Sequence, residues 1–447
     1  MADTLQAVTP SDLRQQLLAR LAHARGQTDD LLQIVRPEVF YDRPIPERHR
    51  IIFYLGHFEA FDWNLLGRQA LGLESFHPEF DRLFAFGIDP MGGGLPNDDA
   101  SHWPARADIE RYNTRVRETL DEHLSQVSLH DRHLPLFKDG LVLHAAIEHR
   151  LMHAETFAYM LHQLPLEGKL LQLADAAPLP RAVVSQMVSI PRGRATLGLR
   201  HKSGEFGWDN EFEAHKVEVP EFEIDNVNVT NGRFLEFMRD GGYANRDLWD
   251  EGGWDWKTKH SIAHPKLWTR QDGDWMLRTM FADIPLPEDW PVYVSHAEAS
   301  AYARWAGKTL PNEAQFHRAA YGTPEGTERE FPWGDEPADA QHGNFDFRHW
   351  DPVAVATHPA GNSAFGVADL VGNGWEWTSS VFQPFPGFEP FSFYPGYSAN
   401  FFDGKHFVAK GGSPRTAACL LRRSFRNWFQ PHYPYMYATF RGVSNIG

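Results

Sequence analysis

Cysteine is nearly absent. The 447-residue chain has one, Cys419. That excludes an internal disulfide and a thiolate-rich cluster, so any metal must be held by histidine and carboxylate. Cations are in deficit too: Lys and Arg number 43 against 59 Asp and Glu, a formal net charge of −16 at pH 7. This balance argues against nucleic acid or an anionic membrane surface as the main partner. There is no run of about 18 apolar residues. Met1–Gln6 shows no basic region leading into an apolar core. The expectation is a soluble, cytoplasmic protein with no nucleic-acid or membrane partner.

Apolar and aromatic surface is plentiful. The hydrophobic fraction is 42% and the aromatic fraction 13%, with 15 Trp and 32 Phe concentrated in the second half. The length predicts about two to three domains. The most informative stretch is Glu148-His149-Arg150-Leu151-Met152-His153-Ala154-Glu155, within a run from Leu141 to Leu164 free of Pro and Gly. On a helix, His149 and His153 share one face a turn apart, the spacing at which two imidazoles reach one metal ion. The same spacing suits two solvated or core histidines. Glu155, two residues past His153, points away from that face and suits a supporting role rather than ligation. A metalloprotease is excluded locally, because Arg150 stands where the general-base Glu should follow the first histidine. His57 lies in the apolar segment Ile51–Trp63, where burial gives it a need for a partner that a metal or another polar group can meet.

Helices are expected over about 9–37 (Leu13, Leu17, Leu18 and Leu21 at helical spacing), 46–72, 107–127 and 141–164. Residues 73–107, with Gly92-Gly93-Gly94, read as an irregular segment too long for a passive connector. Four helices predict an antiparallel bundle over 1–170, an architecture that often carries histidine metal sites in its core. Prolines 165, 178 and 180 mark a linker, placed at 171–187. From 188 to 447 the pattern is short strands, turns and aromatic loops, with helical segments at Val229–Arg239, His296–Ala306 and Asn312–Ala320. The fold class is α+β.

Several motifs of the second half resemble the formylglycine-generating-enzyme fold. They are Asn228-Val229-Thr230-Asn231, Gly307-Lys308-Thr309-Leu310-Pro311-Asn312-Glu313, Phe331-Pro332-Trp333-Gly334-Asp335, Asn373-Gly374-Trp375-Glu376-Trp377 and Gly411-Gly412-Ser413, in the family's order. Formylglycine generation itself needs a cysteine pair, which this chain lacks. His57 after Gly56, with His149, His153 and Glu155, resembles the metal set of a DinB-like four-helix bundle. A DinB-like bundle ahead of a formylglycine-type domain resembles the ergothioneine-biosynthesis sulfoxide synthases and the related selenoneine synthases.

The resemblance implies Fe(II) held by His57, His149 and His153, with O2 as co-substrate. It implies oxidative joining of a thiol or selenol to the imidazole carbon of Nα-trimethylhistidine (hercynine). Asn427 and Trp428 match the family's substrate loop, and Phe429 and Trp375 are further aromatic candidates for a quaternary ammonium. Met152 stands where some relatives carry Gln, and Phe429 where some carry Asp. Tyr394 and Tyr397 are the nearest matches to a proton-donating tyrosine. Residues 84–105 contain no Arg or Lys, whereas relatives that use γ-glutamylcysteine place arginines there. That departure favours free cysteine or a sugar-borne selenol as the donor. Two other readings are a non-catalytic ligand-binding protein and a zinc-dependent DinB-type transferase or hydrolase. The lid of the site is expected in 84–105 and 382–404.

Overall fold

In the computed structural model, residues 10–85, 99–170 and 184–445 are described. The chain divides into two compact units, Met1–Gln172 and Leu173–Gly447. The Gly92–Gly94 stretch and most of the expected linker, 171–183, fall outside the described residues.

Unit 1 is helical. Helix α1 (Pro10–Gln33) opens with proline at its first position, where no amide is needed. It buries Leu17, Leu21, Ala24, Thr28 and Leu31, an alternating four-and-three spacing that makes one continuous stripe against α5. Helix α2 (Ile51–Asp62) begins later than the expected residue 46. Its first amides are already satisfied by the loop before it: Ile51 N–H donates to Asp42 O and Ile52 N–H to Phe40 O. The expected continuation to residue 72 is present but wider, because Trp63–Ala70 forms a π-helix.

The segment taken as irregular contains a short helix, α3 (Pro78–Leu83). It starts at Pro78, and the His77 ring accepts the Phe80 amide. Helices α4 (Arg106–Leu124) and α5 (Leu141–Gln163) match their expected positions. Helix α5 is buried on nearly every side, its polar residues Glu148, His149, Arg150, His153 and Glu155 included. Helix α2 packs on both α4 and α5.

Among the described residues, unit 2 holds short strands in four small sheets. Strands β1 (Met187–Ile190) and β4 (Phe222–Asp225) pair antiparallel, and β2 (Gly193–Leu197) pairs with β3 (His215–Val219). Helices α6 (Asn231–Arg239) and α7 (Glu251–Lys259) follow. Sequence reasoning passes over α7 because Gly252-Gly253 disfavours helix. Asp250 rescues it by capping the Gly253 amide at 2.6 Å. Strands β5 (Trp268–Gln271), β6 (Asp274–Arg278) and β7 (Asp283–Pro285) make a meander. Helices α8 (His296–Trp305) and α9 (Glu313–Tyr321) both begin with capping boxes, Ser295/Glu298 and Asn312/Gln315.

The largest sheet has the order β10-β9-β8-β11, with β8 Gly374–Val381, β9 Phe407–Gly412, β10 Asn427–Phe429 and β11 Ala438–Thr439. Strand β12 (Val443–Asn445) returns to pair with β4. Ile190, Phe222, Ile224, Phe316, Leu370 and Val443 form the core beneath. The long loops stay ordered through buried side chains that bond to backbone. Arg441, fully buried, donates twice to Glu376 at 2.6 and 2.7 Å and also to the carbonyls of Asp225 and Ala368. No helix among the described residues is long and apolar enough to cross a membrane.

Candidate metal centre

His57 leaves the middle of α2, and His149 and His153 leave one face of α5. All three are buried, and their donor nitrogens lie within 4.8 Å of one another. His57 Nε2 stands 3.3 Å from His153 Nε2, which stands 3.0 Å from His149 Nε2. Imidazole nitrogens about 2.1 Å from one ion stand about 3.0–3.4 Å apart at inter-ligand angles between a right angle and the tetrahedral one. The spacing of these nitrogens fits a single small cation.

The tautomer of His57 is fixed. Its Nδ1–H donates to Phe84 O at 2.6 Å, so Nε2 carries the inward lone pair. The rings are held by aromatic faces: Phe61 lies parallel on His149 at 3.3 Å and Phe53 on His57 at 4.8 Å. Burial lowers the His57 pKa to about 4, the Phe84 carbonyl only partly opposing it. Burial pushes His149 and His153 well below the ordinary imidazole value. Three neutral imidazoles need lose no proton to bind a metal.

The sign of the pH dependence follows. The folded state resists protonating these rings while the unfolded chain takes up protons near pH 6.5. The metal-free protein therefore keeps this stability above about pH 6.5 and loses it as pH falls toward 4. Denaturant midpoints between pH 7 and 4 are expected to fall in the wild type, and to fall less in His57→Gln. Parallel curves for the two proteins would contradict the burial argument.

A buried charge network stands behind the three histidines. Arg150, beside His149, donates to Glu59 at 2.8 and 3.0 Å, to Asp62 at 2.6 Å and to Phe58 O at 2.9 Å. Arg117 of α4 joins Glu59 to Asp29 of α1. Sequence reasoning used Arg150 only to exclude a protease. The signal for more was present: Glu59 and Asp62 interrupt an apolar segment, and carboxylates buried there require a cation.

Glu155 is buried but does not belong to the histidine cluster. Met152 occupies the α5 position just before His153, half-buried.

In unit 2, Asn427, Trp428 and Phe429 form β10, paired with β9. Trp428 lies flat on Phe382 at 4.3 Å and edge-on to Tyr397 at 5.4 Å. Tyr397 stacks on Trp208 at 4.0 Å, with Tyr394 5.7 Å away. These aromatic candidates form one cluster. Phe429 instead stacks on Tyr433 at 5.3 Å. Trp375 sits in β8 at 2% exposure, against Phe425 in the core. Asp209, not foreseen, accepts from Ser398 at 2.5 Å at the base of the tyrosine loop, and burial pushes its carboxyl up to about 6.

Residues 172–446 match the model of the sulfatase-modifying factor enzyme 1-like domain. The whole chain is similar to a hercynine oxygenase of Mycolicibacterium thermoresistibile, 32% identical over 94% of this chain and 92% of that protein. A hercynine oxygenase of Mycobacterium tuberculosis is 38% identical over 69% of this chain and 72% of its own length. Ergothioneine biosynthesis protein 1 of Neurospora crassa is 28% identical over 93% of this chain and 56% of its own length. With its second half matched by the domain model and nearly its full length by a hercynine oxygenase, the chain belongs to the ergothioneine-biosynthesis sulfoxide synthase family.

Proposed function

We propose that this oxygenase binds Fe(II) through His57, His149 and His153 of a DinB-like bundle and uses O2 to join a thiol or selenol to the imidazole carbon of hercynine. The observation that carries this reading is the convergence of three buried, neutral imidazoles. When bound, Fe(II) supplies the redox chemistry. The protein supplies the rest. Helices α2 and α5 fix the three donors, and the faces of Phe53 and Phe61 exclude water from them. Three protein ligands leave further positions open to substrates. Asn427 and Trp428 are the residues we assign to hercynine. The electron-rich Trp428 face suits a quaternary ammonium. Phe429 and Trp375 of unit 2, and Met152 of unit 1, are further residues we assign to substrate binding. Tyr394 or Tyr397 moves the proton.

A second reading, a selenoneine synthase using a selenosugar, is favoured by one observation. Residues 84–105 offer no cation to a carboxylate-bearing donor. A product mass spectrum tests both. The protein is loaded anaerobically with Fe(II), mixed with hercynine, given O2, and supplied in parallel with cysteine, γ-glutamylcysteine or a selenosugar. An adduct of hercynine with at least one donor is expected, with γ-glutamylcysteine the poorest. Faster formation of a selenium adduct than of any sulfur adduct would make it a selenoneine synthase. Absence of every adduct would overturn the proposal.

A further inference from the structure

We propose that Phe84 is a positioning residue for His57, acting through its main-chain carbonyl, with its ring serving as the clamp that keeps the carbonyl in place. The inference rests on the metal-binding reading of His57. The carbonyl accepts His57 Nδ1–H at 2.6 Å and thereby turns Nε2 toward His153. A carbonyl just past the end of a six-residue helix has little rigidity of its own. Its position must come from packing.

Two sets of contacts supply that packing. First, the Phe84 ring is seated on Gly56, the residue immediately before the ligand. A Cβ built at Gly56 would stand 2.6 Å from ring carbons of Phe84, closer than any real contact. Gly56 therefore serves as a seat for the ring. The ring is fully buried and tilted against Phe53, which itself stacks on His57. Second, α3 is pinned through Asp81. Its carboxylate accepts from Ser75 Oγ at 2.6 Å, Tyr112 Oη at 2.8 Å and Trp63 Nε1 at 3.2 Å. Trp63 opens the π-helix that follows α2. The same stretch that bears His57 thus also fixes the helix that orients it.

The test uses full-length protein loaded with Co(II), which reports imidazole N–H protons as paramagnetically shifted exchangeable NMR signals. Wild type is expected to bind one Co(II) and to show a slowly exchanging Nδ1–H signal from His57, identified by its loss in His57→Gln at a Co(II) concentration that still saturates the variant. Gly56→Ala displaces the Phe84 ring. It is expected to bring that signal into fast exchange with water and to weaken Co(II) binding about 10- to 100-fold, the cost typical of losing an outer partner of a ligating histidine. Gly56→Ala/Phe84→Ala relieves the clash but lacks the ring that clamps the carbonyl, and is expected to stay in fast exchange. Asp81→Asn leaves Gly56 and Phe84 in place and keeps the test decisive if Gly56→Ala does not fold; it should accelerate exchange of the same proton. An unchanged His57 signal with Co(II) affinity within twofold of wild type in these variants would overturn the proposal. So would a double variant that exchanges as slowly as wild type, since the ring would then not be the clamp. Failure of wild type itself to bind Co(II) would instead count against the metal-binding reading.

Discussion

Arg150→Met is expected to destabilise the metal-free protein by about 3–5 kcal/mol, the usual cost of removing one partner from a buried ion pair. Arg150 and Glu59 are 1% exposed and Asp62 is fully buried. Burial opposes ionising Glu59, yet Arg150 and Arg117 outweigh it and hold its pKa down to about 2. Asp62 is pushed up by burial even with Arg150 present. Without the guanidinium, two buried carboxylates remain, with Arg117 bonded to Glu59 and only the charge of Arg25 acting on Asp62. Arg150→Lys should recover little. One ammonium cannot bond both Glu59 oxygens, Asp62, Phe58 O and Thr28 Oγ1 as the guanidinium does. Removing Arg150 also raises both carboxyl pKa values in the folded state. The deficit should therefore shrink as pH drops toward the ordinary carboxylate range, where the protonated acids lie buried without charge. Urea titrations at pH 7 and pH 5 measure both effects. A loss below about 1 kcal/mol at pH 7 would show the network to be dispensable.

Equal and severe loss of metal is the second expected result. His57→Ala, His149→Ala and His153→Ala should each weaken Fe(II) binding by more than about 100-fold, beyond the range of outer-partner substitutions. Glu155→Ala should leave affinity within a few-fold. The equality matters because a helical His149/His153 pair alone could hold a metal with a carboxylate as third ligand. In that arrangement Glu155→Ala would cost as much as the histidine variants and His57→Ala would cost little. Anaerobic calorimetric titration separates the two patterns. Loss of product with metal affinity intact in His57→Ala would also remove His57 from the ligand set.

Much of unit 1 can be read from its pattern. Helices α1 and α4 follow apolar periodicity, α5 shows as a long run without Pro or Gly, and the four-residue spacing of His149 and His153 places them on one face without tertiary information. Three features could not be read. The start of α2 at Ile51 depends on amides capped by Asp42 and Phe40 across a loop. The π-turn at Trp63–Ala70 has no periodic signature in eight residues. The orienting acceptor of His57 is a main-chain carbonyl, and any residue type supplies one. Motifs identified the type of unit 2 better than propensity did, since its short strands and long loops carry little periodicity. A motif does not report burial: Trp375 stands in β8 at 2% exposure, against Phe425.

Synthesis order separates the two units in time. The helices of unit 1 and all three histidines are complete once residue 172 has emerged. The β1-β4-β12 sheet of unit 2 cannot close until residues 443–445 arrive to pair with β4. At about 5–20 residues per second, that interval lasts on the order of 10–60 s. During it the bundle can present its histidines to cellular metals before the second unit exists. Imidazole sites favour copper and zinc over iron at equal availability, so in the proposed reading the metal that first reaches the three histidines is set by what the cell makes available in that interval.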